Sequence, residues 1–462
     1  MRKQTHPTYI RIIAICFLYV GSAYMSQSYR LMDFYDERTV DIISSVFNYL
    51  MQAIGILIFS LGLVKRPEIF GKRKTFIVLL VTGAFFMIAS QLSDSGLIVQ
   101  LAGYIFNLHI GVYFGYYLTM LAQNISPKKS GLSFGIAYGI ASIGTFLMSL
   151  VRGGTFVESK EIAAIYILLS GLTMVLVFHA KDITYPLSRK SGDNAEDASE
   201  EQRLSKMDYI SNIGVNHTII IIALITIISV MSSGLYYSLP VASNVNWLLI
   251  RAFYAIGLIV CGLIMDKSRL IGSICTIASL AYPLIFVALI GDGVNSTVAL
   301  AFSYIFRGFI TIYYVTVFTD LGYNDQRLLP LAAIGLMISR AVEAVVSLVL
   351  LLVPVPEVAQ LIGSAICFLP LLAIFVIDMS KRFAPAPVTP EKKFALYAEK
   401  YDLTSREMEI LKCLTEGLSD SEIADKFYIS KNTVRFHVSN LLKKTGSASR
   451  VDTVRSLDKF ES

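Results

Sequence analysis

The chain has 462 residues, 55% of them hydrophobic and 16% charged, with a formal net charge of +6. That composition excludes a single soluble domain, because too few charges are available to clothe so much apolar surface. The five cysteines, Cys16, Cys261, Cys275, Cys367 and Cys413, are scattered without CxxC or Cys/His spacing, so neither a disulfide framework nor a zinc site is implied.

Apolar runs long enough to cross a bilayer as helices recur along most of the chain. The first set spans roughly 8–26, 41–63, 75–91, 97–123, 131–151 and 161–179. The first of these follows basic residues but lacks a small-residue cleavage site, and many spans follow it, so it reads as retained rather than as a signal peptide. A charged stretch over 181–216, including "SGDNAEDASEEQR", is too polar to pack a core and divides the spans into two sets. The second set spans roughly 217–236, 246–265, 270–291, 297–319, 328–353 and 357–378. The expectation is an all-α, polytopic bundle of twelve helices with six in each half, residues 1–180 and 217–379. Lys and Arg between the spans sort about 20 to one side and about 4 to the other, which places both ends of the chain in the cytoplasm of a cell whose inner membrane holds the bundle.

After the second span of each half comes a short basic loop, "GLVKRPEIFGKRK" (Gly62 to Lys74) and "GLIMDKSR" (Gly262 to Arg269). Here the sequence resembles the major facilitator superfamily, whose corresponding loop carries a Gly-x-x-x-Asp-Arg/Lys pattern. The second copy fits with Gly262, Asp266 and Lys267, whereas the first has Lys65 and Arg66 where an acidic residue belongs. The resemblance implies two six-helix halves around a central cavity.

Ionisable residues inside a bilayer are costly and therefore point to a cavity or a partner. Arg307 sits midway along the tenth span with Tyr304, Thr311 and Tyr314 on its face. Arg340 and Glu343 lie three apart on the eleventh, and Trp247, Arg251 and Tyr254 line one face of the eighth. The fourth span carries Asn107 and His109, followed by Tyr113 and Tyr116, and the second carries a stripe of Asp41, Ser45, Asn48 and Gln52. The functional reading is a pocket for a small anionic or phenolic molecule drawn from Asn107, His109, Arg251, Tyr304, Arg307, Arg340 and Glu343. In the plainer alternative, Arg340 and Glu343 only neutralise each other and His109 is a satisfied buried histidine.

The proline-rich stretch 380–393, containing "RFAPAPVTPEKK", ends the last span and reads as a stiff spacer before a separate domain at 394–462. Thr404 with Glu407 and Ser419 with Glu422 are capping-box patterns, Gly417 ends the first helix, and Ser430 and Gly446 bracket another. Four helices follow, near 405–415, 420–427, 430–445 and 449–458, the middle pair being a helix-turn-helix. In the third, Val434, Val438 and Leu441 share the core face, so Arg435, Phe436, Ser439 and Lys443 point outwards, with Lys431 and Lys444 at the edges. A basic helix of this pattern suits phosphates and base edges of double-stranded DNA.

The stretch "LTSREMEILKCLTEGLSDSEIADKFYISKNTVRFHVSNLLKKTGSASR" resembles LuxR-type DNA-binding domains over nearly its whole length. The resemblance implies base reading by Arg435, Phe436 and Ser439, with Asn440 alongside, and phosphate contacts by Thr433 and Lys444. It also implies a dimer on DNA paired through Val451, Val454 and Leu457. The whole plan resembles membrane-embedded LuxR-type regulators, which implies a one-component sensor of a small molecule that controls nearby metabolic genes. The rival reading is a secondary transporter with a regulatory tail. An enzyme is not expected, since no nucleophile–base pair, metal spacing or phosphate loop occurs, and no cofactor is implied.

Overall fold

The computed structural model describes residues 6–150, 159–185, 215–237, 247–282, 296–353, 355–382, 390–458 and 460. Among them the regular structure is helical, without a strand, and the chain divides into a membrane unit, Met1–Lys381, and a tail unit, Arg382–Ser462.

The membrane unit is built from α1 (His6–Met32), α2 (Glu37–Lys65), α3 (Arg73–Leu92), α4 (Gly96–Asn124), α5 (Pro127–Leu150) and α6 (Ser159–Phe178). A second series follows: α7 (Val215–Tyr237), α8 (Trp247–Lys267), α9 (Arg269–Ser279), α10 (Ser296–Asn324), α11 (Ile334–Leu352) and α12 (Glu357–Arg382). Among the described residues nine helices are long and apolar enough to cross a membrane: α1 to α6, and α10 to α12 counting the short 3-10 turn that leads into α11. The other three, α7 to α9, fall where spans were expected. Residues 238–246 and 283–295, on which parts of those expected spans fall, lie outside the described residues, as does most of the expected connector.

The two series repeat one device. Gly55 of α2 faces Gly111 of α4 so closely that a Cβ on Gly55 would strike the Leu108 carbonyl, and Gly257 of α8 faces Gly308 of α10 with a Cβ striking the Ile305 carbonyl. Small residues let helix backbones approach in a membrane, where apolar burial gives helices no reason to prefer each other over lipid. The same crossing in the second and fourth helices of each series is structural evidence of a doubled unit.

The halves meet most tightly where α5 crosses α8. A Cβ on Gly131 would lie 2.8 Å from Asp266 Oδ1 and 3.0 Å from the Gly262 carbonyl. Asp266 accepts from the backbone N–H groups of Gly131 (2.8 Å) and Leu132 (3.0 Å), in the second turn of α5, near the end where the helix dipole favours a negative charge. Arg269 donates to Asp320 of α10 (2.6 and 3.0 Å), to Ser130 Oγ (2.9 Å) and to the Pro127 carbonyl (2.5 Å). The loop in the first series stays within its own half: Lys72 pairs with Asp182 at 3.0 Å, and Arg73 donates to the Phe178 and Ala180 carbonyls.

The tail unit has five helices where four were expected: α13 (Pro390–Lys400), α14 (Ser405–Thr415), α15 (Asp420–Phe427), α16 (Lys431–Thr445) and α17 (Arg450–Asp458). The proline spacer therefore stops at Pro390, the first residue of α13, where a missing N–H costs nothing. Tyr397 of α13 is fully buried among Ile410, Leu411, Leu414, Val434, Val438 and Leu441, and its hydroxyl meets Ser456 at 2.9 Å. Both capping boxes form, Ser430 accepts from Thr433 N at 3.1 Å, and Gly417 and Gly446 take left-handed backbone at φ 77° and 66°.

Candidate functional site

A cavity of about 330 Å³ lies inside the membrane unit. Its walls come from α1 (Tyr24), α2 (Ser45, Tyr49), α5 (Tyr138), α8 (Tyr254), α10 (Tyr304, Arg307) and α11 (Arg340, Glu343), so both halves contribute. Arg340 donates to Glu343 at 3.2 Å, and its guanidinium lies 4.4 Å from the ring centre of Tyr49 on the opposite half. Arg307 lies 5.7 Å from the Tyr304 ring. Tyr138 and Tyr254 meet edge to face across the halves at 5.4 Å. The Tyr254 hydroxyl donates to Thr311 at 2.6 Å. Thr226 donates to the Ile222 carbonyl, so in the 2.8 Å contact between Thr226 and Tyr314 the tyrosine is the donor.

Tyr304, Arg307, Arg340 and Glu343 thus come together as expected. Asn107 and His109 do not join them. Asn107 is the centre of an amide chain within the first half, accepting from Gln52 at 2.8 Å and donating to Gln27 at 2.9 Å. His109 Nδ1 donates to the Ile105 carbonyl at 2.8 Å and Nε2 lies 3.0 Å from the Thr82 hydroxyl, so both ring nitrogens have a partner within the first half. Tyr113 and Tyr116 pack against Phe76, the latter stacked at 4.0 Å. The side chains of Trp247 and Arg251 lie outside the described residues.

The stripe on α2 is split by local geometry. A π-helical turn at Ile43–Phe47 changes the helix phase, so that Ser45 and Tyr49 line the cavity while Asn48 and Gln52 turn into the first half, both buried. The hydrogen-bonding atoms of the Asn48 amide have no partner among the described residues. Sequence reasoning missed Tyr24, Tyr49 and Tyr138, whose only signal is a tyrosine inside an apolar run.

In the tail unit, Val434, Val438 and Leu441 of α16 are buried, and Lys431, Arg435, Phe436, Ser439 and Lys443 are exposed, Phe436 at 62%. Thr433 and Asn440 are half-buried beside them. Arg435 is held at 3.3 Å by Asp420 of α15, which also takes Arg450 of α17. Lys444 is exposed as well, with its ammonium held by Glu407 (2.7 Å) and the Asp402 carbonyl (2.7 Å). One expectation shifts here. Leu457 is buried in its own domain's core, whereas Val451 is 59% exposed and Val454 half-buried. Residues spaced by three drift about 60° per step round a helix, so the third member of that stripe leaves the face of the first.

Residues 402–457 match the family described as GerE, bacterial regulatory proteins of the luxR family. The tail carries a LuxR-type DNA-binding domain. Similar proteins include the transcriptional regulatory protein LnrK of Bacillus subtilis (strain 168), 52% identical over 46 residues, which are 10% of this chain and 21% of that one. The nitrate/nitrite response regulator protein NarP of Escherichia coli (strain K12) is 47% identical over 49 residues, 11% of this chain and 23% of that one. The chain thus spans under a quarter of the length of either relative. Upstream of the LuxR-type domain, the fold is that of the major facilitator superfamily. The human organic anion transporter MFSD10 superposes with a TM-score of 0.55 at 11% identity, covering 82% of this chain and all (100%) of that one. The Escherichia coli fucose:proton symporter FucP superposes at 0.53 and 13%, covering 83% and 100%.

Proposed function

We propose that this chain is a one-component transcriptional regulator of the inner membrane, whose facilitator-like bundle of twelve spans binds a small anionic or phenolic molecule and whose cytoplasmic LuxR-type tail controls nearby metabolic genes. The observation that carries this is the presence, in one chain, of a DNA-binding domain and a membrane cavity walled by both halves and furnished with Arg307, Arg340 and Glu343. A ligand touching both halves favours one arrangement of the bundle over another; moving that balance from 1:99 to 99:1 takes about 5.5 kcal/mol of differential affinity. On DNA, Arg435, Phe436, Ser439 and Asn440 face base edges, and Lys431, Thr433, Lys443 and Lys444 face phosphates. Val451 and Val454 form the exposed part of a pairing surface between two tails.

The second reading, a transporter with a regulatory tail, is favoured by the transporter fold and by the two-sided cavity. One experiment separates them: transcription of the neighbouring genes and uptake of candidate compounds, in the intact protein, in Arg435→Ala and in Arg307→Ala. Induction lost in both variants with no uptake in any of the three is the expected result. Uptake that persists in Arg435→Ala and vanishes in Arg307→Ala would make transport the primary activity.

A further inference from the structure

One carboxylate of the LuxR-type domain is divided between two arginines, and the division limits what the more exposed of them can read. Asp420 is the first residue of α15, directly after the capping residue Ser419, where the helix dipole favours a negative charge. Its Oδ1 accepts from Nη2 of Arg450, the first residue of α17, and its Oδ2 accepts from Nε of Arg435 on α16 at 3.3 Å. Arg450 thus fixes the carboxylate at one oxygen and leaves the other to hold Arg435.

Only the inner nitrogen of Arg435 is engaged. Its Nη1 and Nη2 have no hydrogen-bond partner among the described residues, and its side chain is 67% exposed, against 17% for Asp420. An ion pair so open to water adds little to the stability of the fold, so its consequence lies in where the guanidinium points. A guanidinium held at Nε still presents a planar fork of two outer N–H donors, and the hold removes rotamers that would swing the fork towards a phosphate. Arg450 also offsets the negative charge of Asp420, which lets a carboxylate lie close to a polyanion with less repulsion.

Two parallel donors in one plane match one base edge in the major groove. Guanine presents two acceptors side by side, O6 and N7. Adenine presents an acceptor beside a donor, cytosine a donor, and thymine one acceptor beside a methyl group.

We infer that Asp420 is a positioning residue for base reading, holding Arg435 at Nε so that its outer fork selects guanine at one position of the DNA site. This rests on the base-reading role proposed for Arg435 and adds to it the base that is read and the residue that sets the choice.

The test is selection of duplexes from a randomised library by the purified full chain in detergent micelles, followed by binding of the selected duplex with each base pair in turn at every position. The intact protein should prefer guanine to adenine about tenfold or more at one position, and Arg435→Ala should abolish that preference. Asp420→Asn, which keeps the shape but loses the second carboxylate oxygen, should cut the same preference several-fold while the preferences at other positions persist. In the Arg435→Ala background Asp420→Asn should have no further effect on base choice, as befits two residues acting as one unit. A guanine preference left unchanged or sharpened by Asp420→Asn would overturn the inference. So would an equal loss at every position in a variant that unfolds at the same temperature as the parent, which is what a purely structural role predicts. A base other than guanine at the position that Arg435→Ala relaxes would overturn it too, and that result needs no Asp420 variant, so it stands even where the loss of the Arg450 contact loosens the domain. If Arg435→Ala leaves every base preference intact, the base-reading role falls and the inference with it; an effect of Arg435→Ala with none of Asp420→Asn sinks the positioning alone.

Discussion

Glu407 holds together three parts of the LuxR-type domain. Its Oε2 accepts from the Thr404 N–H (2.8 Å), the Thr404 hydroxyl (3.0 Å) and the Lys444 ammonium (2.7 Å). Burial pushes its pKa up, but the bonds from Lys444 and Thr404 outweigh that, and the carboxyl ends below its ordinary value of 4.5. A carboxyl depressed on folding adds stability above its unfolded pKa and loses it as pH falls through the lower folded value. Glu407→Gln should therefore cost about 1–2 kcal/mol at pH 7 and flatten the loss of stability below about pH 4.5. Thermal unfolding of residues 390–462 from pH 7 to pH 3 measures both; an unchanged acid limb would sink the assignment. The same residue shows why the partner of Lys444 was not legible in the sequence. A lysine at the edge of a basic helix looks like a phosphate contact, and the partner that claims it lies 37 residues away. Arg307, Arg340 and Glu343 were legible because a charge within an apolar run stands out in one dimension. Tyr24, Tyr49 and Tyr138 were not, because nothing local separates a cavity tyrosine from a packed one such as Tyr116.

At the scale of elements, helix ends were read correctly wherever the signal is local, as at Thr404, Ser419, Ser430 and Gly446. Phase along a helix was less legible. The π turn at Ile43–Phe47 sends Ser45 and Asn48 to different surroundings, and the drift along α17 takes Leu457 inward, though both stripes look continuous in sequence. The first tail helix, α13, was partly hidden by the prolines before it. Its place in the domain is testable, because Tyr397 is fully buried against α14, α16 and α17. Tyr397→Ala should destabilise residues 390–462 by about 3–4 kcal/mol, the usual cost of emptying an aromatic site in a core. Urea unfolding reads this directly, and a loss below about 1 kcal/mol would mean that α13 is an ornament on a four-helix domain.

For the whole molecule the question is what holds the two halves of the bundle in one arrangement. The doubled plan was legible as two sets of apolar runs around a polar connector. The lock was legible only in part, since the Gly262–Asp266 pattern pointed to the loop, and Asp320, its main partner, looked like an ordinary residue near a helix end. In the structure Arg269 ties Asp320 of one half to Ser130 and the Pro127 carbonyl of the other, while Asp266 accepts from the Gly131 N–H of α5. Removing the arginine leaves a partly buried carboxylate without its cation, which costs roughly 3–5 kcal/mol when a buried pair is broken. Only part of that falls on the difference between two arrangements of the bundle, because Asp320 stays desolvated in both. Yet about 2.7 kcal/mol is enough to move a 1:99 balance to near parity. Under the regulator reading, Arg269→Gln should therefore raise or lower transcription of the target genes without ligand to near the liganded level, and shrink the further response to ligand several-fold. Reporter activity with and without ligand, at matched protein abundance, decides it. Unchanged basal activity and unchanged induction would mean that the lock fixes the fold but takes no part in switching, and the search for the coupling between cavity and tail would move to α11 and α12.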